Sequence, residues 1–260
     1  MLPEGAVTAL REARAVAVLT GAGISAESNL ATYRDGQQSL WAGFNPEELA
    51  TPEAYRRQPR VVWEWYAERR AKLLEAEPNP AHLALAELER RVPRFTLLTQ
   101  NVDGLHQRAG SRNVHELHGS ILRFKCADDG RPVDSWDDDH VPPRCPRCLG
   151  LIRPDVVWFG EVLPYRVLAL AAEAVTRCDL FLTIGTSAVV YPAAGFPLEA
   201  LDRGATVIEI NTNETAISDL VTWHLPGKAG AVLPALVTAA WGAAAPGTTT
   251  VAPGGDTGDE

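Results

Sequence analysis

A glycine-rich turn directly after a β-branched run is the part of this sequence best suited to chemistry. Residues 15–20 form an apolar run that ends at Gly21, and Gly23 follows after one residue. Glycine has no Cβ, so phosphate oxygens can approach its backbone N–H groups closely. The spacing Gly21-x-Gly23-x-x-Ala26 matches the dinucleotide-binding fingerprint with alanine in the third position. Taken alone, the same residues also fit an ordinary tight turn.

A cluster of polar residues follows another predicted strand. Gln100, Asn101 and Asp103 come directly after the run 95–99. An amide and a carboxylate at this spacing can hold a polar group such as a carboxamide. The plainer interpretation is a polar turn in which Asp103 caps the helix that follows.

His118 is a candidate acid–base residue. Gly119 follows it, so a small residue leaves room for a ligand beside the ring. An imidazole ionises near neutral pH and can act as a general base, although a lone histidine is more often structural. His106, predicted to lie on a helix, and His115, which has no adjacent glycine, are weaker candidates.

Three of the four cysteines cluster in one segment. Cys126, Cys145 and Cys148 lie in a stretch, 126–150, that is rich in proline and aspartate and poor in aliphatic residues. Without a predicted export signal, such a cluster indicates metal ligands before disulfides. The stretch therefore predicts a small metal-stapled module. Cys178 precedes an apolar strand and is interpreted as a core residue.

Strands and helices alternate along the rest of the chain. The pattern predicts helices over 1–14, 51–76, 81–91, 164–177 and 193–203, and strands over 15–20, 95–99, 180–184 and 206–210. We expect Leu83, Leu85 and Leu88 to form the apolar side of the helix 81–91. The alternation predicts an α/β fold, with a Rossmann-like parallel sheet and helices on both faces.

Composition limits the class of protein. The chain has 260 residues, of which 46% are hydrophobic and 22% charged, enough for one large α/β domain with an insertion. A formal charge of −9 argues against general nucleic-acid binding, which needs a basic surface. The sequence shows neither a leader pattern nor an apolar run of membrane-spanning length, so we expect a cytoplasmic protein without a membrane partner. Residues 243–260 are rich in alanine, proline, glycine and threonine, a composition that predicts a disordered tail.

Six short motifs occur in order along the chain. They are Gly21-Ala22-Gly23-Ile24-Ser25, Thr32-Tyr33-Arg34-Asp35, Gln100-Asn101-Val102-Asp103, His118-Gly119-Ser120, Val157-Trp158-Phe159-Gly160-Glu161 and Gly185-Thr186-Ser187. In this order they resemble the sirtuin family of NAD-dependent protein-lysine deacylases. The resemblance extends from about Val16 to about Val232.

The resemblance implies NAD as co-substrate and assigns a role to each motif. It implies that Asn101 and Asp103 surround the nicotinamide and that His118 is the general base. In the family's reaction the acyl oxygen attacks the ribose carbon as nicotinamide leaves, and the other products are free lysine and O-acyl-ADP-ribose. The NAD-binding residues it implies are Gly21, Ala22, Gly23, Ser25, Tyr33, Arg34, Gln100, Asn101, Val102, Asp103, Gly185, Thr186, Ser187, Asn211, Thr212 and Ala229.

The resemblance also implies two domains. The predicted Rossmann-like NAD-binding domain comprises residues 1–30, 78–124 and 152–242. The predicted small domain comprises residues 31–77, a helical insertion, and 125–151, a zinc-ribbon-like module.

The helical insertion carries a clue to the acyl group. Val62, Tyr66, Arg69 and Leu73 are spaced to share one helical face. An arginine on such a face needs an anionic partner, either an acid of the chain itself or a ligand. The pair Tyr66-x-x-Arg69 resembles the sirtuin branch that removes succinyl and malonyl groups, in which it holds the acyl carboxylate.

Three further residues are implied to contact the substrate. By the same resemblance, Ala50 is a small residue that widens the acyl pocket, while Val157 and Phe159 line the acyl-lysine tunnel. The substrate peptide would pair with this segment as an extra strand. We therefore predict removal of succinyl and malonyl groups, and of acetyl groups as well.

The sequence departs from the family at its zinc site. The family holds structural zinc with two Cys-x-x-Cys pairs, whereas the first pair here is Cys126-Ala127-Asp128-Asp129. Asp129 thus stands at the fourth ligand position of a possible Cys₃Asp site, with His140 as another candidate. The alternative is that zinc has been lost. Asn29 replaces a glycine of the cofactor loop and tolerates the left-handed conformation expected there.

Two other functions remain open at this stage. One is an NAD-dependent protein ADP-ribosyltransferase on the same fold, and the other is a catalytically idle module that binds NAD or ADP-ribose. Release of nicotinamide that depends on an acylated peptide distinguishes deacylation from both. We expect acyl-lysine proteins or peptides as partners, no nucleic acid, and a monomer.

Overall fold

The computed structural model describes residues 1–30, 46–137 and 139–242. The candidate residues Tyr33 and Arg34, and the tail 243–260, lie outside the described residues. Within the described ranges, no helix has both the length and the apolar character needed to cross a bilayer.

Two sheets form the framework of the described chain. Their strands are β1 (Ala15–Thr20), β2 (Arg94–Thr99), β3 (Val114–Glu116), β4 (Gly119–Cys126), β5 (Ile152–Val156), β6 (Leu180–Ile184), β7 (Thr206–Asn211) and β8 (Trp223–Pro226). Six of these strands form a parallel sheet in the order β3-β2-β1-β6-β7-β8, and β4 pairs with β5 in antiparallel fashion. The predicted parallel sheet is therefore confirmed. Its strand order reverses between β1 and β6, the point at which open α/β sheets bind ligands.

Helices cover both faces of the parallel sheet. The helices are α1 (Glu4–Glu12), α2 (Pro46–Leu49), α3 (Pro52–Arg57), α4 (Pro59–Glu75), α5 (Pro80–Arg91), α6 (Leu105–Arg108), α7 (Tyr165–Arg177), α8 (Phe196–Asp202) and α9 (Ala229–Trp241). Short 3₁₀ helices span Ala22–Ser28 and Ala193–Gly195.

The central strand β1 is buried along its whole length, and its side chains alternate between two cores. Val16 and Val18 pack with side chains of α1, α5 and α9, whereas Ala17 and Leu19 pack with side chains of α7 and α8. This alternation follows from the two-residue period of a strand. Because β1 is packed on both faces, the turn at Gly21, which follows it directly, has a fixed position.

The predicted helix over 51–76 is interrupted. Gln58 has φ −145° and ψ 67°, so α3 ends before it and α4 begins at Pro59. The cause is Pro59, which restricts the residue before it and lacks the N–H that a continuous helix requires. The same proline is well suited to the first position of the new helix.

The prediction that Leu83 lies on the apolar side of α5 is wrong. Leu85 and Leu88 are fully buried, but Leu83 is 54% exposed. At 100° per residue, Leu83 lies on the opposite side of the helix from Leu85. The start of α5 is fixed by a capping box that Asn79 and His82 form.

Two smaller cores lie outside the parallel sheet. In one, Val62, Tyr66 and Leu73 of α4 pack with Ile121 and other side chains of the two-stranded sheet. The other contains Cys126 and Cys145 and is covered by aromatic rings, among them those of Trp63, Phe124 and Trp136. These cores attach the helical insertion and the cysteine segment to the carboxyl edge of the main sheet.

Candidate functional site

The glycine turn after β1 and the glycine turn after β6 pack backbone against backbone. The N–H of Gly23 donates to the carbonyl oxygen of Gly185 at 2.9 Å. A Cβ on Gly21 or on Gly23 would come within 2.7 or 2.8 Å of Gly185, and Gly185 itself has φ +62°. Glycine is required here because the loops touch, a reason that adds to phosphate access.

The 3₁₀ helix Ala22–Ser28 is followed by its C-cap Asn29, which has φ 58° and is left-handed as predicted.

Ser25 joins the glycine turn to the polar loop after β2. Its hydroxyl donates to Asp103 Oδ2 at 2.7 Å and accepts from Asn101 Nδ2 at 3.0 Å. All three side chains are buried. The structure therefore brings Ser25 to Asn101 and Asp103, which lie 76 and 78 positions further along the sequence.

His82 lies behind this cluster. Its Nδ1 accepts from the backbone N–H of Asn79 at 3.3 Å, so Nε2 carries the proton and faces Ser25 Oγ at 3.4 Å. Burial lowers the pKa of His82 to about 4, against an opposing effect of the Asp103 charge. A neutral ring with a fixed tautomer therefore orients the Ser25 hydroxyl toward Asp103.

The loop Gln100–Asp103 is held by its own backbone. The N–H of Gln100 donates to Thr20 at 2.9 Å, and the carbonyl of Val102 accepts from Ile121 at 3.1 Å. Asp103 Oδ1 accepts from the N–H of Leu105 at 3.0 Å. The interpretation of Asp103 as the helix cap is wrong, because α6 begins after Gly104, which is its N-cap residue. Asp103 instead makes a local turn contact with Leu105, and its second oxygen serves the Ser25 cluster.

His118 lies directly before β4, which begins at Gly119. Its Nδ1 contacts the carbonyl oxygen of Gln100 at 3.0 Å. A carbonyl only accepts, so Nδ1 carries the proton and Nε2 keeps its lone pair. Burial lowers the pKa of His118, and the Gln100 carbonyl opposes that shift only in part. The ring is therefore neutral near pH 7 and is equipped to accept a proton.

The segment after β5 runs beside His118. The N–H of Val157 donates to the carbonyl of His118, and the N–H of Phe159 donates to the carbonyl of Ala50, both at 2.9 Å. Trp158 is buried, while Phe159 is 43% exposed. The apolar run is thus only partly core, because Val156 and Trp158 are buried while Val157 is half-buried and Phe159 exposed.

An ion pair between a buried arginine and a half-buried glutamate braces this segment. Arg153 contacts both carboxylate oxygens of Glu161, at 2.5 and 2.9 Å, and its guanidinium lies 3.2 Å from the ring centre of Trp158. Glu161 also accepts from the N–H of Trp158 at 2.9 Å. Burial by itself would raise the pKa of Glu161, but the contacts with Arg153 and Trp158 hold it below its usual range.

Tyr66 lies against the same segment. The indole Nε1 of Trp158 donates to the Tyr66 hydroxyl at 2.9 Å, and the two rings stack with centroids 6.4 Å apart. Tyr66 is 5% exposed, and Arg69, one turn along α4, is half-buried with its guanidinium 4.8 Å from the Trp65 ring. The helical insertion thus brings Tyr66 to the predicted acyl-lysine segment.

The loops after β6 and β7 are joined to each other. Asn211 Nδ2 donates to the carbonyl of Thr186 at 2.7 Å, and its Oδ1 accepts from the N–H of Thr212 at 2.9 Å. Ser187 is half-buried, and Ala229 is the buried first residue of α9. These residues lie along the carboxyl edge, beyond the Ser25 cluster.

The three clustered cysteines converge as a metal site requires. The sulfur atoms of Cys126, Cys145 and Cys148 all lie within 4.8 Å of one another. Burial raises the pKa of the Cys126 thiol to about 11, and backbone N–H groups of Asp129 and Asp128 act in the opposite direction. Three sulfur ligands at this spacing fit structural zinc. Cys178 is separate and only half-buried, so it packs against the edge of the core and is not a core residue as predicted, and burial raises the pKa of its thiol to about 11.

Sequence reasoning missed two contributors to the site. His82 was not singled out, although its position three residues after Asn79 is a capping-box spacing that could have drawn attention to it. The Arg153–Glu161 pair was also missed, because a charged pair eight residues apart across a strand end has no periodic signature.

Comparison with known proteins agrees with this architecture. Residues 21–192 match the model of the Sir2 family. The NAD-dependent protein deacylase of Pyrococcus furiosus is 48% identical over 244 residues, which cover 91% of this chain and 97% of that protein.

Solved structures give the same result. The crystal structure of a Sir2 homolog–NAD complex has 46% identity and a TM-score of 0.86, covering 91% of this chain and 93% of that one. A Sir2 complex with a deacetylated p53 peptide and 3′-O-acetyl ADP ribose has 31% identity and a TM-score of 0.84, covering 94% of this chain and all of that one. With a family match over most of its length and a relative at 48% identity, the chain belongs to the Sir2 family.

Proposed function

We propose that this chain is an NAD-dependent protein-lysine deacylase that removes succinyl and malonyl groups, and acetyl groups as well. The observation that carries the proposal is the meeting of Ser25, Asn101 and Asp103 with a neutral His118 around one loop, at the strand-order reversal of the sheet. The relatives named above as deacylases support the same activity.

The NAD site in this proposal lies between the two glycine turns and the loop Gln100–Asp103. The glycine turns at Gly21 and Gly185 have no Cβ and let the phosphates approach the backbone closely, and Asn211 and Thr212 lie on the adenosine side. Asn101 and Asp103 hold the carboxamide of the nicotinamide, because together they offer an N–H donor and a carboxylate acceptor. The contact of Ser25 with both fixes their orientation before NAD binds.

His118 is the general base in this proposal. NAD supplies the ribose carbon that receives the acyl oxygen as nicotinamide leaves. His118 Nε2, whose lone pair no described residue occupies, takes the proton of a ribose hydroxyl. The backbone bond from Val157 to the His118 carbonyl couples the base to the segment that receives the acyl-lysine.

The preference for acidic acyl groups rests on Tyr66 and Arg69. Tyr66 meets the acyl-lysine segment through Trp158, and Arg69 lies one turn further along the same helix. An arginine can bind a carboxylate in a bidentate manner, whereas an acetyl group offers no charge to it. The carbonyl oxygen of Ala50 accepts a hydrogen bond from the N–H of Phe159, and the Ala50 side chain is small enough to leave space for the longer acyl chain.

A variant at Arg69 tests the acyl preference. We expect Arg69→Met to lower kcat/KM for a succinyl-lysine peptide by about 10- to 100-fold, the value of a lost charge-assisted contact. The rate with the matching acetyl peptide should change by less than about threefold, because that substrate has no carboxylate to lose.

The matched control is Lys72→Met on the same helix, which removes the same charge from a side chain that is 57% exposed and pairs with Glu68. Both rates should stay near wild type in that variant. A wild-type enzyme that prefers the acetyl peptide, or an Arg69→Met variant with an unchanged succinyl rate, would contradict the acyl preference and leave deacylation itself standing.

A further inference from the structure

A cavity of about 500 Å³ lies between α7 and the parallel sheet, at the end of the sheet opposite the glycine turns. It is lined by the first residues of β1 and β2 and by His115 of β3. β1 extends from Ala15 to Thr20, so about 20 Å of extended chain separate Ala15, which lines the cavity, from Gly21. The cavity is therefore separate from the candidate NAD site.

Small side chains keep this space open. Ala17 packs with side chains of α7 and α8, and Ala15, two residues earlier on the strand, faces the same way. Further along β1, the larger Leu19 fills the same layer. On α7, Ala174 lines the cavity and is only half-buried, so the helix leaves a gap above the sheet there. The floor of the cavity is thus apolar and preformed.

The rim of the cavity carries positive charge. Arg94 is the register partner of Ala15 on the neighbouring strand, so its side chain extends from the same face of the sheet. Arg177 also lines the cavity, but it forms an ion pair with Glu173 at 2.7 Å. Among the described residues, no acid pairs with the guanidinium of Arg94.

A second arginine acts on the wall of the cavity. His115 is the register partner of Leu98, which packs with side chains of α7, so the imidazole lies on the same face. Burial lowers the pKa of His115, and the positive charge of Arg166 on α7 lowers it further. Arg166, like Arg94, has no acidic partner in the described ranges of the chain.

The acids at this end of the sheet do not balance these charges. Glu173 is paired with Arg177, and Asp179 accepts from the backbone N–H groups of Arg14 and Ala15 at 2.9 and 3.1 Å. A chain with a formal charge of −9 thus leaves two arginines without an ion-pair partner beside one apolar cavity. An anion with an apolar body matches both features.

We propose that this cavity is a second ligand site, which binds a small organic carboxylate. The apolar part of the ligand fills the space above Ala17 and Ala174, and the carboxylate lies at the rim between Arg94 and Arg166. Small-molecule sites have volumes of about 300–1,000 Å³, an apolar lining and a few polar groups that orient the ligand. Arginine binds carboxylates through charge-assisted hydrogen bonds. Phosphate would meet the arginines but leave the apolar floor unfilled.

A titration with octanoate tests the proposal. Amide chemical shifts of the ¹⁵N-labelled protein are recorded in the presence of saturating ADP-ribose. We expect shifts at Thr96, His115 and Ala174, with a Kd of about 1 mM for a ligand of this size. Octanamide, which lacks the charge, and inorganic phosphate, which lacks the chain, should each bind about tenfold more weakly or less. The same shifts should occur without ADP-ribose, so a failure of NAD binding would not alter this result.

Three variants locate the bound octanoate. Ala174→Leu fills the cavity and should weaken binding by about tenfold or more, with urea unfolding near that of wild type. The double variant Arg94→Gln/Arg166→Gln should weaken binding by about fivefold or more, whereas Arg203→Gln, an exposed arginine of the neighbouring surface, should leave it unchanged.

The proposal is overturned if octanoate shifts no amide of the cavity lining, or if its shifts lie at Ser25 and Asp103 instead. It is also overturned if octanamide or phosphate binds as well as octanoate, or if Ala174→Leu binds octanoate like wild type.

Discussion

At the scale of single residues, the state of His118 follows from one hydrogen bond. The Gln100 carbonyl accepts a hydrogen bond from Nδ1–H, so the proton stays on Nδ1 and Nε2 keeps the lone pair, and burial favours the neutral ring. Distance along the sequence gives no hint of this contact, because Gln100 is 18 residues away. The motif predicted the residue, and the fold determines which of its nitrogen atoms is basic.

The lowered pKa of His118 sets the expected pH dependence. The base works when it is unprotonated, so kcat/KM should fall only as the pH drops below 6.5, the ordinary value. The measurement is a pH–rate profile of nicotinamide release with saturating NAD. His118→Ala should fold and bind NAD but lose turnover by about 100-fold or more, while His115→Ala keeps it. An acid limb centred above pH 7 would refute this assignment.

At the scale of elements, the contact between the two glycine turns is the arrangement on which the proposed NAD site depends. Gly185 has φ +62°, and a Cβ there would overlap the backbone nitrogen of Ile24. Gly204 also has a positive φ, +89°, but a Cβ there meets nothing within 4 Å. A substitution at Gly204 therefore tests backbone strain alone, whereas one at Gly185 tests backbone strain together with the contact between the loops.

We expect Gly185→Ala to weaken NAD binding by about tenfold or more and to destabilise the protein by about 2–3 kcal/mol, because strain and overlap add. Gly204→Ala should cost about 1 kcal/mol from strain alone and leave NAD affinity unchanged. Calorimetric titration with NAD and urea denaturation provide the two measurements. Equal effects of the two variants on NAD affinity would count against the loop contact.

The brace between β5 and the proposed acyl-lysine segment is also an element-scale feature. Arg153 is almost fully buried, and Glu161 is its described carboxylate partner. Glu161→Gln leaves the guanidinium without a counter-charge, which should cost about 1–3 kcal/mol and loosen the segment around Trp158. The KM for acyl peptide should rise several-fold, with little change in the KM for NAD.

The exposed pair of Arg203 and Glu199 offers the control for this prediction. Its side chains are 49% and 43% exposed, so Glu199→Gln should alter neither constant. If Glu161→Gln changed both KM values equally, the pair would be a general stabiliser of the fold and not a brace of the peptide segment.

Much of the fold could be predicted from the sequence, because its strands are short apolar runs with glycine or polar residues directly after them. The strands at 15–20 and 206–210 are recognisable in this way. The strand β8 was missed because Trp223–Pro226 is short and partly exposed, and the break at Gln58 was missed because helical periodicity continues across it. The Ser25–Asp103 contact depends on the order of strands in the sheet, which no local pattern encodes.

At the scale of the whole molecule, buried neutral histidines link stability to pH. Burial lowers the pKa of His82 to about 4 and that of His106 to about 3, both well below 6.5. The unfolded chain therefore binds protons that the folded chain does not, and stability is lost as the pH falls from 6.5 toward 4.

For His82 this loss should reach about 1–2 kcal/mol between pH 7 and pH 5. The free energy of unfolding by urea at both pH values gives the measurement, and His82→Gln should reduce the difference because that side chain does not titrate. A variant with the full pH dependence of wild type would show that the stability loss arises elsewhere.

The central claim is that the molecule cleaves NAD only at the expense of an acylated lysine. The direct measurement incubates the protein with NAD and a succinyl-lysine peptide and quantifies all products by mass spectrometry. We predict nicotinamide, unmodified lysine peptide and O-succinyl-ADP-ribose in equal amounts, and no nicotinamide release with the unacylated peptide. Nicotinamide release that is independent of the acyl group, ADP-ribose attached to protein, or unconsumed NAD with every acyl peptide would contradict it.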